Sequence, residues 1–359
     1  MSYDSKQIFF GTLALSSFSF IILIIVTETN YEDLTASTET TAIIKPPSAY
    51  YVGLVATVPS KQRFMQYAFY AYLVAFRWMN LGFQPIFVLI AKNQTSTSEY
   101  LIKEMEKVAP TYIVYTNQTT KISQISRLFL FLHAEIRETD YIITTDSDLL
   151  PLKRKEYEME NWKVKATTSN PKQGFYSYLA MSNIVMSKQV WKEVMFFKDC
   201  DVKSSDYKKF KTKSIHAYDQ VHDKCPDKNI FTKARFRPEY FNEYFDSHFG
   251  VSGESSKNNS NWFQDQQLIS YRLGQWVARN SSRAEEVYYG RAKSPVTRLS
   301  SMDMQINNRT IDIHLADRPS NQLVWDKLRR IIIMNKLISE DQLFRVEKMR
   351  SYLCKILPK

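Results

Sequence analysis

Two aspartates stand one residue apart in Ile142–Pro151 (IITTDSDLLP), directly after an apolar run. At that separation Asp146 and Asp148 repel one another unless a cation lies between them. In an extended segment residues two apart project to the same side, so both carboxylates can face one site. Hard divalent cations such as Mg2+ and Mn2+ take carboxylate oxygen and share their remaining positions with phosphate oxygens and water. The spacing is not specific, since Asp199-Cys200-Asp201 repeats it. What distinguishes Asp146 is the strand-like run ahead of it. Two later stretches also carry chemical groups: WFQDQQLIS, with Asp265 and Gln266 opening a helical pattern, and DIHLADRP, with His314 at the end of an apolar alternation.

These residues need a scaffold, and the chain reads as one. Val52 to Val58, Phe87 to Ile90, Tyr112 to Tyr115 and Tyr141 to Thr144 are short apolar runs of the buried-strand kind. Between them lie helical stretches at Lys61 to Leu81, Glu99 to Lys107 and Lys121 to Glu138. Strands alternating with helices imply a mainly parallel sheet covered on both faces, with ligands at the carboxyl ends of the strands. That places Asp146 and Asp148 in a cleft. Further strands are expected at Lys163 to Thr168 and Ser182 to Ser187, helices at Gln264 to Trp276 and Gln322 to Leu337, and a last helix capped by Ser339 with Gln342. Residues 198–261 form a polar insertion without a clear period.

With 359 residues, 44% of them hydrophobic, the chain can bury a large core. Its net charge of +11 comes mainly from scattered basic residues, and Lys208, Lys209, Lys211 and Lys213 read as a solvated loop, not a nucleic-acid patch. Ile8 to Val26 carries no charge over nineteen residues, a length that as a helix spans roughly 29 Å, about one hydrocarbon core. The expected organisation is a cytoplasmic tail at 1–7, a transmembrane signal anchor at 8–26, a Thr/Ser/Glu-rich stem at 27–48 and a lumenal domain at 49–359. Asn93, Asn117, Asn258, Asn280 and Asn308 begin N-x-S/T triplets, and Cys200 and Cys225 either bridge a loop or are buried thiols. Glycine-rich nucleotide loops, a Walker lysine, G-x-S-x-G and H-E-x-x-H are all missing.

The anchor, the stem, the βα pattern, the strand-terminal D-x-D, the later D-Q and the late His followed by Pro319 together resemble GT-A glycosyltransferases of the secretory pathway. In motif order the likeness is loosely to glycogenin-like enzymes. The resemblance implies a nucleotide-sugar donor, UDP being the commonest nucleotide of this type, held through Mn2+ or Mg2+. By position it makes Asp146, Asp148 and His314 the metal set, Asp146 also a nucleotide contact, and Asp265 with Gln266 the catalytic pair beside the sugar. Thr57 is then expected near the nucleoside, Arg127 near the diphosphate and Asn183 near the sugar. A glycan, protein or lipid would accept the sugar, with retention favoured by the resemblance, in the Golgi or endoplasmic reticulum membrane. Blander readings stand beside these: Asp148 as a turn cap, His314 as a core histidine, Asp265 as a helix-start residue rivalled by Asp219-Gln220, and Arg127 as a surface ion pair. At the level of the whole chain the alternatives are an inactive lumenal binding protein of the same fold and a haloacid dehalogenase type phosphatase.

Overall fold

The computed structural model describes residues 48–117, 119–168, 184–195, 264–278, 280–291, 297–298, 306, 310–315 and 318–359. The expected anchor, the expected stem up to residue 47, Asn183, Cys200, Cys225 and the insertion at 198–261 lie outside the described residues. Among the described residues no helix is long and apolar enough to cross a membrane.

A seven-stranded sheet forms the centre. Strands β1 (Tyr50–Thr57), β2 (Gln84–Ala91), β3 (Thr111–Tyr115) and β4 (Tyr141–Thr144) are parallel, with β1 between β2 and β4 and β3 outermost. Beyond β4 the direction changes. Strand β7 (Ile184–Ser187) is antiparallel both to β4 and to β6 (Val164–Thr168), and β8 (Val287–Arg291) closes the far edge parallel to β6. The expectation of a mainly parallel, helix-covered sheet therefore holds, with one reversed strand that apolar periodicity alone does not reveal.

Alternation along β2 shows how the sheet separates two cores. Phe87 and Leu89 face one layer, Ile86, Val88 and Ile90 the other, and all are buried. The first layer holds α1 (Gln66–Asn80), with Ala68 to Ala75 buried all round because the final helices cover its outer side. Those helices, called α6 (Gln322–Met334) and α7 (Glu340–Ile356), carry the expected capping box at Ser339 and Gln342. Gln62, on the turn before α1, donates through Nε2 to Cys354 O at 2.7 Å and Leu357 O at 3.1 Å, while its backbone N–H donates to Pro358 O at 2.9 Å. Carbonyls that the last helical turn leaves unpaired are thereby satisfied.

The second layer holds α3 (Thr119–Ile125), α4 (Lys188–Val194) and α5 (Gln264–Ala278). Helix α2 (Ser96–Met105) joins β2 to β3 and is opened by a capping box at Thr95 and Ser98. The single helix expected over Lys121 to Glu138 is not formed. Helix α3 stops at Ile125, a 3-10 segment runs from Ser126–Leu132, and His133 is extended. Leu128, Phe129, Leu130 and Phe131 are consecutive and all buried, a demand that one apolar stripe of an α-helix does not meet. Leu130 lies over Gly53 of β1, where a Cβ would come within 3.2 Å of Leu130 Cδ2. A side chain at this position would make Leu130 give way slightly, so the glycine lets the two segments pack closely.

A second, three-stranded sheet brings distant chain to the end of β4. Strand β10 (Asp312–His314) pairs antiparallel with β5 (Leu149–Pro151) and parallel with β9 (Thr297–Arg298).

Candidate active site

A cavity of about 740 Å³ opens at the carboxyl ends of β1 and β4. Because β2 and β3 lie on one side of β1 and β4 on the other, this is the point where strand order reverses, the usual ligand position in open α/β sheets. Thr57, Arg127, Asp146, Asp148, Gln266 and His314 all line it. Six of the residues singled out from sequence thus meet in one space, Asp265 stands behind them, and Asn183 lies outside the described residues.

Asp146 and Asp148 are not related by the alternation of a strand. Leu149 N–H donates to Asp146 O at 3.1 Å, so the pair sits on a turn between β4 and β5, and the two side chains have different neighbours. Asp146 keeps 38% of its side chain exposed and accepts from Arg127 Nη1 at 2.5 Å. Asp148 is mostly buried and faces His314, whose Nε2 lies 3.6 Å from Asp148 Oδ2. Strand register makes that second pair: His314 is opposite Leu149, and Leu315 N–H donates to Asp148 O at 2.8 Å. His314 is 31% exposed, which removes the core-histidine reading.

The electrostatics differ accordingly. Burial pushes the Asp148 carboxyl up to about 6, with His314 opposing the rise and Asp146 adding to it. Asp265, with 1% of its side chain exposed, is also raised by burial, against the pull of Arg127. Burial works against the Arg127 charge, yet Asp265 and Asp146 together hold the guanidinium above its ordinary value. Below the pair, burial and then Glu156 push Asp312 up to about 8, and its carboxyl oxygen Oδ1 accepts from the Tyr157 hydroxyl.

Asp265 does not line the cavity. It opens α5, where its Oδ1 accepts from Gln266 N–H at 2.8 Å and its Oδ2 accepts from Arg127 Nε at 2.9 Å and from Nη2. The neighbouring Gln266 lines the cavity in its place. Arg127, read from sequence as either a diphosphate contact or a surface pair, is neither a surface residue nor singly paired: it bridges two acids at the cavity.

The cavity is also lined by Phe64, Gln66, Tyr67, Thr120, Ser123 and Gln124, the last of which accepts through its backbone carbonyl from Arg127 Nε at 3.2 Å. None of these stood out from sequence, where a threonine or glutamine beside a strand end is unremarkable. Gln66 Oε1 is buried with no hydrogen-bond partner among the described residues, and Phe64 is 45% exposed with Arg63 over its ring at 4.6 Å.

Among the described residues no three His, Cys, Asp or Glu side chains are grouped closely enough to hold a metal alone. The donors nonetheless suit a hard divalent ion that keeps several positions for a ligand. Asp148 and His314 supply one carboxylate and one imidazole at 3.6 Å without a hydrogen bond between them, and Mn2+ or Mg2+ commonly takes few protein ligands plus phosphate oxygens. Of the three residues expected from sequence to hold a metal, all line the cavity; Asp148 and His314 face one another, and Asp146 is engaged by Arg127.

No family model matches the chain, and no curated protein matches it. Solved structures do. The galactosyltransferase LgtC, in complex with donor and acceptor sugar analogues, is 10% identical over 83% of this chain and 99% of that one, with a TM-score of 0.36. An active-site mutant of LgtC is 11% identical with the same coverage and a TM-score of 0.36. The apo form of the glycosyltransferase GlyE of Streptococcus pneumoniae TIGR4 is 12% identical over 86% of this chain and 64% of that one, with a TM-score of 0.33. Likeness at this level gives no correspondence between residues, so the roles assigned below rest on the geometry of this chain.

Proposed function

We propose that the chain is a GT-A type glycosyltransferase that moves a sugar from a nucleoside diphosphate to an acceptor with the help of a divalent cation. The observation that carries this reading is convergence: Asp148 from the turn after β4 and His314 from β10, more than 160 residues later in the sequence, face one another in a cavity at the sheet's switch point. Charge supplies the second support. Asp146, Asp148 and the buried Asp265 outnumber Arg127, the lone arginine or lysine lining the cavity among the described residues. A diphosphate entering that field is repelled unless a divalent ion enters with it.

Asp148 and His314 would hold the ion, with diphosphate oxygens completing its shell and Asp146 able to join when it leaves Arg127. A bound Mn2+ or Mg2+ neutralises the negative charge that develops on the leaving diphosphate. The chain's own groups do the rest. Arg127 adds a fixed positive charge at the same place, Gln266 presents an amide where the sugar would lie, and Phe64, Gln66 and Thr57 offer a flat ring and hydrogen-bonding groups to the uncharged nucleoside. Asn183 belongs to this reading as a sugar contact. So do the choice of UDP, retention at the anomeric carbon, a glycan, protein or lipid acceptor, and a type II Golgi or endoplasmic reticulum placement through residues 8–26. Asn93, Asn117 and Asn280 are exposed, as lumenal glycan attachment requires.

Calorimetry of residues 47–359 with UDP, GDP and CDP, each with and without Mn2+, tests the reading. Binding of one nucleotide that depends on Mn2+, followed by slow metal-dependent hydrolysis of its sugar derivative, is the expected result. Equal binding with and without the ion, or none, overturns it.

A further inference from the structure

The Arg127 guanidinium divides unequally between its two acids. Asp265 Oδ2 accepts from Nε at 2.9 Å and again from Nη2, while Asp265 Oδ1 is occupied by Gln266 N–H. Both oxygens of this buried carboxylate are committed to protein, and the residue does not line the cavity. Asp146 takes a single hydrogen bond from the guanidinium, through Nη1, and remains over a third exposed on the cavity side. Nη1 also reaches Thr145 O at 3.4 Å. A two-point grip by a buried, fully hydrogen-bonded carboxylate holds its partner far more firmly than a one-point contact with a solvated one. Removing either acid leaves Arg127 short of an anion, and the exposed side is where an incoming anion can supply one.

Building on the function proposed above, we propose that Asp265 is a positioning residue that fixes Arg127 at the cavity, and that Asp146 is the partner Arg127 exchanges for the diphosphate of the incoming nucleotide. Asp265 then touches no sugar, in contrast to the role its sequence motif implies. The exchange links two events. As the guanidinium turns to the diphosphate, Asp146 loses its cation and is released toward Asp148 and His314, so a third protein group for the divalent ion becomes available as the nucleotide arrives. In the unliganded chain the same contact offsets part of the repulsion between Asp146 and Asp148.

The test uses UDP as probe and uridine as the phosphate-free control, titrated into unsubstituted and substituted chains with and without Mn2+. Asp265→Asn is expected to weaken UDP about tenfold, the size of one lost charge-assisted hydrogen bond, and to leave uridine unaffected. Combined with Arg127→Lys it should be no weaker than Arg127→Lys alone, because both changes disable one guanidinium. If Asp265→Asn leaves UDP unchanged and weakens only UDP-glucose or another sugar-bearing nucleotide, Asp265 is a sugar contact and the positioning role is wrong. Asp146→Asn is solvated enough to spare the fold, and it decides the exchange even where Asp265→Asn unfolds the chain. Freed of its competitor, Arg127 should bind UDP several-fold more tightly without Mn2+, while the gain on adding Mn2+ shrinks. Equal weakening of UDP in both conditions overturns the exchange. An unsubstituted chain that binds UDP, GDP and CDP no better with Mn2+ overturns the functional reading and the exchange with it, whereas unsubstituted binding that needs Mn2+ beside an unresponsive Asp146→Asn overturns the exchange alone.

Discussion

The two walls of the cavity are built on opposite principles. One gathers Asp146, Asp148, Arg127 and His314 from three separate stretches of chain, and every one of these groups has a charged or chargeable neighbour within 4 Å. The other, from the segment after β1 and the segment after β3 as far as Gln124, carries hydroxyls, amides and rings, and meets the first where Arg127 Nε donates to Gln124 O at 3.2 Å. Charge interactions are long-ranged and strengthen as water is excluded, whereas hydroxyl and ring contacts are short-ranged and depend on shape. A ligand that meets both sets of groups carries an anionic part and an uncharged polar part, as the nucleoside diphosphate of the proposed function does.

Substitutions can break this contrast. The largest effect is expected from Asp148→Asn, which should cut Mn2+-dependent nucleotide binding and turnover on the order of a hundredfold while leaving uridine binding intact. His314→Ala should follow, with roughly tenfold to hundredfold weaker Mn2+ affinity in the presence of nucleotide, read by electron paramagnetic resonance of the free ion. On the neutral wall, Phe64→Ala should weaken uridine and UDP equally, about tenfold if the ring stacks on the base, and leave the Mn2+ increment as it was. A Phe64 change that alters the metal response instead would erase the division between the walls.

The smallest expected effect concerns the segment that joins them. His133 closes the 3-10 turn carrying Arg127, and burial holds its imidazole below the ordinary histidine value. The unfolded chain therefore binds this proton more readily than the folded one, so the stability it contributes is present above about pH 6.5 and is lost as pH falls below that value. Chemical denaturation at pH 7.5 and pH 5.5 should show His133→Gln gaining stability relative to the unsubstituted chain at the lower pH, against a background in which the raised Asp148 and Asp312 carboxyls favour the fold of both chains as pH falls; an identical pH dependence in the two chains removes His133 from the account.

Legibility in the sequence follows the same division. Strand β4 matches the apolar run Tyr141 to Thr144, β1 to β3 were each located by local apolar pattern, and the Ser339 box marked the last helix. Those features depend on neighbours in the chain. Pairings such as Asp148 with His314 depend on the register of β10 against β5, and Asp265 with Arg127 on how α5 packs, which spacing does not encode. The sequence motif identified Asp265 and Gln266 but not their division of labour, since only packing turns one inward and the other to the cavity. The 3-10 segment departs from the expected helix because Leu128 to Phe131 are buried on every side, which depends on what packs around them and not on local spacing. The neutral wall carried no signal: Thr120, Ser123 and Gln124 are common residues, and only the strand ends beside them make them a surface.

The clasp of Gln62 on Cys354, Leu357 and Pro358 has a practical corollary. Phe64, two residues after Gln62, borders the cavity, so a deletion begun at Cys354 removes the acceptors that seat the turn carrying it. Such a shortened chain should hold the proposed nucleotide more loosely, although every carboxylate at the cavity is kept.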